Sequence, residues 1–310
     1  MGFFDDAIAA GRGAVESAQK SVAKAGGLHL GFVAEFAEMA QRGAEAGWHE
    51  AHGGNASLWL NEAQRQEAAP FLAPEPGEWV MLEQPVPALA GELVLTTAAG
   101  CRMDQVKSGG ALTAASANAA TLGIVELDIS GSAWRRVFGF EGGSRPTSEL
   151  NGHLVVLEAR GRATDGASRV VYHAHPSAAI AMGKLVGKTD VAVTNGFWRA
   201  MTEAVMAVPE GVGYVGPLVP GSLDLARASA SVAASFSCML WASHGLLCTG
   251  ATCDEALQKM EVLAKAADVW MQCRWAGMTG EEWRASVPDA VLEGICAQLG
   301  LALNRNLLGE

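Results

Sequence analysis

At 310 residues, half of them apolar and only 18% charged, the chain has material for a sizeable core, and disorder is excluded as its general state. A formal net charge of −11 with scattered basic residues offers no face to nucleic acid or an anionic membrane, so neither is expected as a partner. A small anionic substrate held locally by backbone amides and a metal remains compatible with that charge.

Cys101, Cys238, Cys248, Cys253, Cys273 and Cys296 show no CxxC pair and read as free thiols. No apolar run reaches the roughly 20 residues that span a bilayer, and the N-terminus lacks the pattern of a cleavable leader. A cytoplasmic location is the expectation.

Residues 1–26 read as a loosely attached arm, and residues 27–310 as one domain. From Leu28 onward, Leu28, Phe32, Phe36 and Met39 recur at spacings of four and three, which predicts a helix ending at Gly47. Gly53-Gly54-Asn55 is a glycine turn leading into a strand over Ala56–Leu60. Glu92–Thr97 and Leu122–Asp128 predict further strands, with Trp134–Phe140 pairing with the second across Gly131. Thr147-Ser148-Glu149 opens a helix that runs to about Arg160. Arg169–His175 is a β-branched strand stopped by Pro176, with a helix over Ser177–Leu185 behind it.

Helices are then predicted over Phe197–Val208 and Leu223–Ala234, with a turn at Pro209-Glu210-Gly211 between them. Ser237–Trp241 and Gly245–Thr249 read as strands, Thr252 to about Arg274 as a long helix, and Thr279–Leu299 as the last helical stretch before a mobile tail. This order predicts an α/β class fold, an α/β/α sandwich with a mostly antiparallel central sheet. Neither a GxGxxG nor a P-loop signature is present, which sets aside nucleotide binding by those loops.

Alternate side chains of a strand share a face, so His173 and His175 point the same way, about 6 to 7 Å apart at Cα. Two imidazoles so placed can converge on one ion, and a catalytic site needs a third protein ligand with a position left open. His244 follows the apolar strand Cys238–Trp241 and is the candidate. The plainer interpretation of His-x-His is one exposed and one hydrogen-bonded imidazole. His29 and His153 read as helix-face residues, His49 has no ligand setting, and His52 stays open because it adjoins the Gly-Gly turn. Glu149, near the N-terminal amides of its helix, is either a favourable first-turn charge or a working carboxylate.

The ordered set Gly47-Trp48-His49-Glu50-Ala51-His52-Gly53-Gly54-Asn55-Ala56-Ser57-Leu58, Pro146-Thr147-Ser148-Glu149-Leu150, His173-Ala174-His175, Thr202-Glu203, Pro209–Gly213, Pro220-Gly221 and His244-Gly245 resembles the class II, zinc-dependent aldolases over roughly residues 28–275. The resemblance implies a homotetramer with one Zn2+ per subunit on His173, His175 and His244, although imidazole also suits other divalent transition metals. It further implies Glu149 as catalytic base, Glu203 as an acid contributed from the neighbouring subunit, and Gly54, Asn55, Gly100, Thr147 and Ser148 as the phosphate cradle. The implied reaction is reversible retro-aldol cleavage of L-rhamnulose 1-phosphate to dihydroxyacetone phosphate and L-lactaldehyde. Two positions depart from the family pattern. His52 stands where asparagine is usual, and Ala98-Ala99 precedes Gly100 where a serine or an extra glycine is common. A related enzyme working on another sugar phosphate or a small aldehyde or ketone by aldol, epimerase or dehydratase chemistry is the alternative, and a non-catalytic scaffold without metal is the rival from another class.

Overall fold

The computed structural model describes residues 30–73, 75–107 and 118–309. The arm expected over residues 1–26 lies outside them, as do Leu28 and His29. In chain order the strands are β1 (Asn55–Trp59), β2 (Val80–Met81), β3 (Leu93–Thr97), β4 (Leu122–Leu127), β5 (Ala133–Gly139), β6 (Val170–Ala174), β7 (Val212–Val215), β8 (Cys238–Trp241) and β9 (Gly245–Gly250). The helices are α1 (Gly31–Glu45), α2 (Glu62–Ala68), α3 (Asn118–Thr121), α4 (Leu150–Ala163), α5 (Ser177–Leu185), α6 (Asp190–Trp198), α7 (Thr202–Ala207), α8 (Leu223–Ala233), α9 (Cys253–Trp275), α10 (Gly280–Ser286) and α11 (Asp289–Leu299).

These strands form one sheet in the order β2-β5-β4-β3-β1-β6-β9-β8-β7. Every neighbouring pair is antiparallel except β7 and β8, which run parallel at one edge. Alternation along the strands divides the interior in two. Val170 and Tyr172 of β6, with Leu246 and Cys248 of β9, face a cluster that takes in Phe36 of α1, Met182 of α5, Phe197 of α6 and Leu263 of α9. Val171 and Leu247 face the other way, onto Leu154 and Leu157 of α4 and Leu225 of α8. Helices therefore cover both faces, and the predicted sandwich is observed.

The chain departs from the sequence reading at several places. The helix expected over Phe197–Val208 is two helices, α6 and α7, because Arg199 is buried and its guanidinium is claimed by the Val287 carbonyl and the Asp289 carboxylate, after which Met201 is extended. The stretch Thr279–Leu299 breaks at Val287-Pro288, where proline lacks the N–H a helix needs and pushes its predecessor into extended backbone. The expected mobile tail is instead docked: Leu307 is buried, and its carbonyl accepts a hydrogen bond from the Asn195 amide at 2.7 Å. Helix α2, to which the sequence reading assigned no element, buries only Ala68; a reciprocal Asn61–Gln64 capping box starts it.

His153 lies on α4 as expected, but inward and fully buried. Its Nδ1 is 2.7 Å from the Ser57 hydroxyl, and its Nε2 has no hydrogen-bond partner among the described residues. Burial lowers its pKa to about 3, so the ring is neutral when folded. An unfolded chain would bind a proton below about pH 6.5 that the folded chain refuses, so this contribution to stability is complete above that pH and is lost as pH falls towards 3. Denaturant titrations of metal-free protein should show His153→Asn reducing the slope of stability against pH between 6 and 4 by about 1.4 kcal/mol per pH unit. An unchanged slope would rule out a neutral buried ring.

Candidate metal centre

Strand β6 lies between β1 and β9, and its last turn of backbone is held from both sides: His173 pairs with Asn55 on one and Leu247 on the other. Pro176 then ends the strand, leaving His173 and His175 on the same face as Val171. His244 occupies the short link between β8 and β9, where Ser243 takes a positive φ of 62° and Gly245 approaches β6 so closely that a Cβ would lie 2.3 Å from the Ala174 carbonyl oxygen. That close approach of the hairpin brings the third imidazole to the other two. One ligand nitrogen from each ring lies within 4.8 Å of the others.

The proton positions follow from the outward contacts. Nδ1 of His173 is 2.9 Å from the Leu246 carbonyl, which can only accept, so that nitrogen carries the proton. Nδ1 of His175 donates in the same way to Oε1 of Glu50 at 2.7 Å. With those protons directed outward, the Nε2 atoms of His173 and His175 turn inward 3.0 Å apart, and His244 brings its Nε2 to 3.3 Å from that of His173. Burial lowers the pKa of His173 well below the usual histidine value, helped by the neighbouring His175 and His244, and burial followed by His175 lowers that of His244 to about 4. Converging lone pairs at that spacing repel unless a cation lies among them. Ligands about 2.0–2.1 Å from a tetrahedral zinc would be about 3.3 Å apart. The donor set and its spacing fit a divalent transition metal.

Around the imidazoles, the indole of Trp241 packs 4.5 Å from the His173 ring centre and stacks on His244 at 5.1 Å. Nδ1 of His244 is buried without a hydrogen-bond partner among the described residues, so this ring alone of the three lacks an acceptor behind it.

Glu149 joins this group: its Oε1 is 3.7 Å from His244 Nε2, and its Oε2 accepts from the Asn55 amide at 3.0 Å. It is the cap residue of α4 rather than part of its first turn, and its own N–H goes to the Thr147 hydroxyl at 3.3 Å. The carboxyl is 6% exposed. Burial raises its pKa, only partly offset by the Asn55 hydrogen bond and by His175, so it holds a proton more readily than an ordinary carboxylate.

The remaining predicted residues divide. Thr147 and Ser148 line a cavity of about 230 Å³ with Arg145, Asn151, Gly221 and Ser222. Asn55 is engaged with Glu149, and Gly54 (φ 76°) packs under His49 and the His173 carbonyl; neither lines that cavity. Gly100 is exposed at a positive φ of 69°, on a turn tied to the Arg145–Thr147 segment by a bridge between Ala98 and Pro146. Glu203 is exposed on α7, bonded from the Thr202 hydroxyl at 3.3 Å, and makes no contact with the histidines among the described residues. His52 is likewise exposed.

Two groups that touch the site were missed from sequence. Glu50 contacts His175, and its position beside the Gly-Gly turn in His49-Glu50-Ala51-His52 was a signal within reach. His49 lies half-buried beneath the same loop, where the Tyr172 hydroxyl donates to Nε2 at 2.8 Å and Nδ1 donates to the Gly53 carbonyl at 3.1 Å. Burial lowers its pKa to about 4.

Residues 34–271 match the family described as Class II Aldolase and Adducin N-terminal domain. The rhamnulose-1-phosphate aldolase of Salmonella typhimurium is 32% identical over 225 residues, 72% of this chain and 78% of that protein. The enzyme of the same name from Enterobacter sp. (strain 638) matches to the same extent. Among solved structures, a sugar-phosphate aldolase from Thermotoga maritima is similar with a TM-score of 0.64 at 22% identity, covering 80% of this chain and 97% of that one. An L-fuculose 1-phosphate aldolase reaches 0.55 at 17% identity, covering 89% and 100%. At those identities the likeness speaks for the fold alone. The family match spans all nine strands and all three histidines, and the chain belongs to the class II aldolases.

Proposed function

We propose that the chain is a metal-dependent lyase that cleaves L-rhamnulose 1-phosphate reversibly to dihydroxyacetone phosphate and L-lactaldehyde. The observation that carries the reading is the convergence of three Nε2 atoms with a desolvated carboxylate 3.7 Å from one of them. His173, His175 and His244 would hold the ion, with zinc the choice by family. When bound, the ion supplies Lewis acidity toward the oxygens of a ketose.

The chain's own residues divide the rest. Glu149 Oε1, on the histidine side of its carboxyl, moves the proton at the substrate carbon that gains or loses the new bond. Its raised proton affinity suits a group that must both take and return a proton near neutral pH. Asn55 holds the opposite oxygen, fixing the carboxyl plane. The Trp241 indole against two of the histidine rings keeps water from that side. Thr147 and Ser148 present hydroxyls beside the N-terminus of α4, where a phosphate is favoured, and Gly54, Asn55 and Gly100, which lie outside the Thr147–Ser148 cavity, would meet the phosphate from beyond it. Glu203, exposed in the single chain, would act as the acid at the aldehyde oxygen from a neighbouring subunit of a homotetramer.

Metal-loaded protein incubated with L-rhamnulose 1-phosphate should release dihydroxyacetone phosphate, read by coupled reduction of the triose. No triose product would end this reading. The alternative, a related class II enzyme with another substrate, draws on Ala98-Ala99 and His52, which change the hydroxyl and amide groups offered at the cradle. A panel of ketose 1-phosphates and unphosphorylated sugars separates the two, since an epimerase would invert one centre and release no fragments.

A further inference from the structure

We infer that Glu50 is a positioning residue for the metal, orienting His175 through a carboxylate–imidazole hydrogen bond, and that Gly53 leaves the room this bond needs. The inference rests on the three-histidine metal reading above. It starts from an asymmetry among the ligands. His173 is oriented by a backbone carbonyl, His244 by no acceptor among the described residues, and His175 by a side chain, Oε1 of Glu50 at 2.7 Å. A metal-bound imidazole whose outer N–H faces a carboxylate is fixed in ring plane and tautomer and made more basic, so such partners strengthen metal binding although they never touch the ion.

The loop carrying Glu50 is built for that contact. The His175 N–H bonds the Trp48 carbonyl at 2.9 Å, and the Gly53 N–H bonds the Glu50 carbonyl at 2.6 Å, so the loop closes on the end of β6. Beneath it, the hydrogen-bonded chain from buried Tyr172 through half-buried His49 to Gly53 pins the turn from below. A Cβ on Gly53 would lie 2.7 Å from Glu50 Oε1 and 2.8 Å from His175 Nδ1, inside the very hydrogen bond at issue. A Cβ on Gly54 would meet His49 Nδ1 at 2.1 Å and the His173 carbonyl oxygen at 2.8 Å. The Gly-Gly pair thus has a steric purpose at the histidines, distinct from the phosphate contacts expected of Gly54.

Glu50 itself is 69% exposed while His175 is 13% exposed, so removing the carboxylate leaves the core intact and alters mainly what stands behind the ring. The test is cobalt(II) affinity and the cobalt d–d spectrum of the full chain, measured for the wild type, E50A, E50Q and G53A, with metal-free thermal melts as the fold control. E50A should bind cobalt about 10- to 100-fold more weakly. E50Q, which keeps an oxygen able to accept from Nδ1, should recover part of that loss, and G53A should reproduce the E50A spectrum. E50A binding within twofold of the wild type overturns the inference, as does E50Q binding no better than E50A. A wild-type chain that takes up no cobalt overturns the metal reading instead, and is recognised before any variant is compared.

Discussion

Glu149→Gln is expected to lower turnover by about 10²- to 10⁴-fold while leaving metal content unchanged, the range by which a positioned acid–base group accelerates proton transfer. The substitution isolates the proton. Glutamine fills the same volume at a site only 6% exposed, and its carbonyl can still accept from the Asn55 amide, so neither packing nor that hydrogen bond is lost. What disappears is a carboxylate that burial has made a better proton carrier. Metal analysis and kcat on the same preparation read the outcome. A variant that keeps its metal and turns over within about threefold of the parent would remove Glu149 from the chemistry.

His173→Ala should abolish metal-dependent stabilisation of the fold. A ligand that binds only the folded chain stabilises it by about 4.1 kcal/mol when its free concentration is 1,000 times Kd. Spread over the unfolding entropy expected of 310 residues, that is a shift of about 6 °C in Tm. His173 is the choice because its Nε2 faces both other rings, at 3.0 and 3.3 Å, so its loss leaves two nitrogens without their common neighbour. Differential scanning with and without added zinc makes the comparison. An alanine variant that still gains several degrees from zinc would place the ion elsewhere.

Much of this was legible from residues because the relevant signals are local. Arg169–His175 shows β-branched residues and a stopping proline, and strand periodicity alone puts its two histidines on one face. His244 was found through the apolar strand before it. What sequence could not supply was the tertiary cause of an interruption. Nothing in Trp198-Arg199-Ala200-Met201 marks a helix end, since the helix stops where Arg199 is drawn to the Asp289 segment about ninety residues later. The Val287-Pro288 break is the opposite case, a local signal that was passed over. Strand β7 eluded pattern reading because it is four residues long and diluted by Gly213.

Glu50 shows a different limit. Its residue type and its nearness to the Gly-Gly turn were visible, but the contact depends on β1 and β6 lying side by side, which brings residues 125 positions apart within 2.7 Å. A turn composition can be read along the chain, whereas the atom it is shaped around belongs to the neighbouring strand.

β6, which carries His173, and β9, which begins directly after His244, are interior to the nine-stranded sheet and bonded to each other along their length. Backbone in that position opens only with the most stable part of a fold. A centre without its ion would therefore keep its shape, and losing or regaining the ion would be an exchange at a standing socket that needs no refolding of the polypeptide. On the metal reading proposed above, supply of the ion would then set how much of the folded protein is competent.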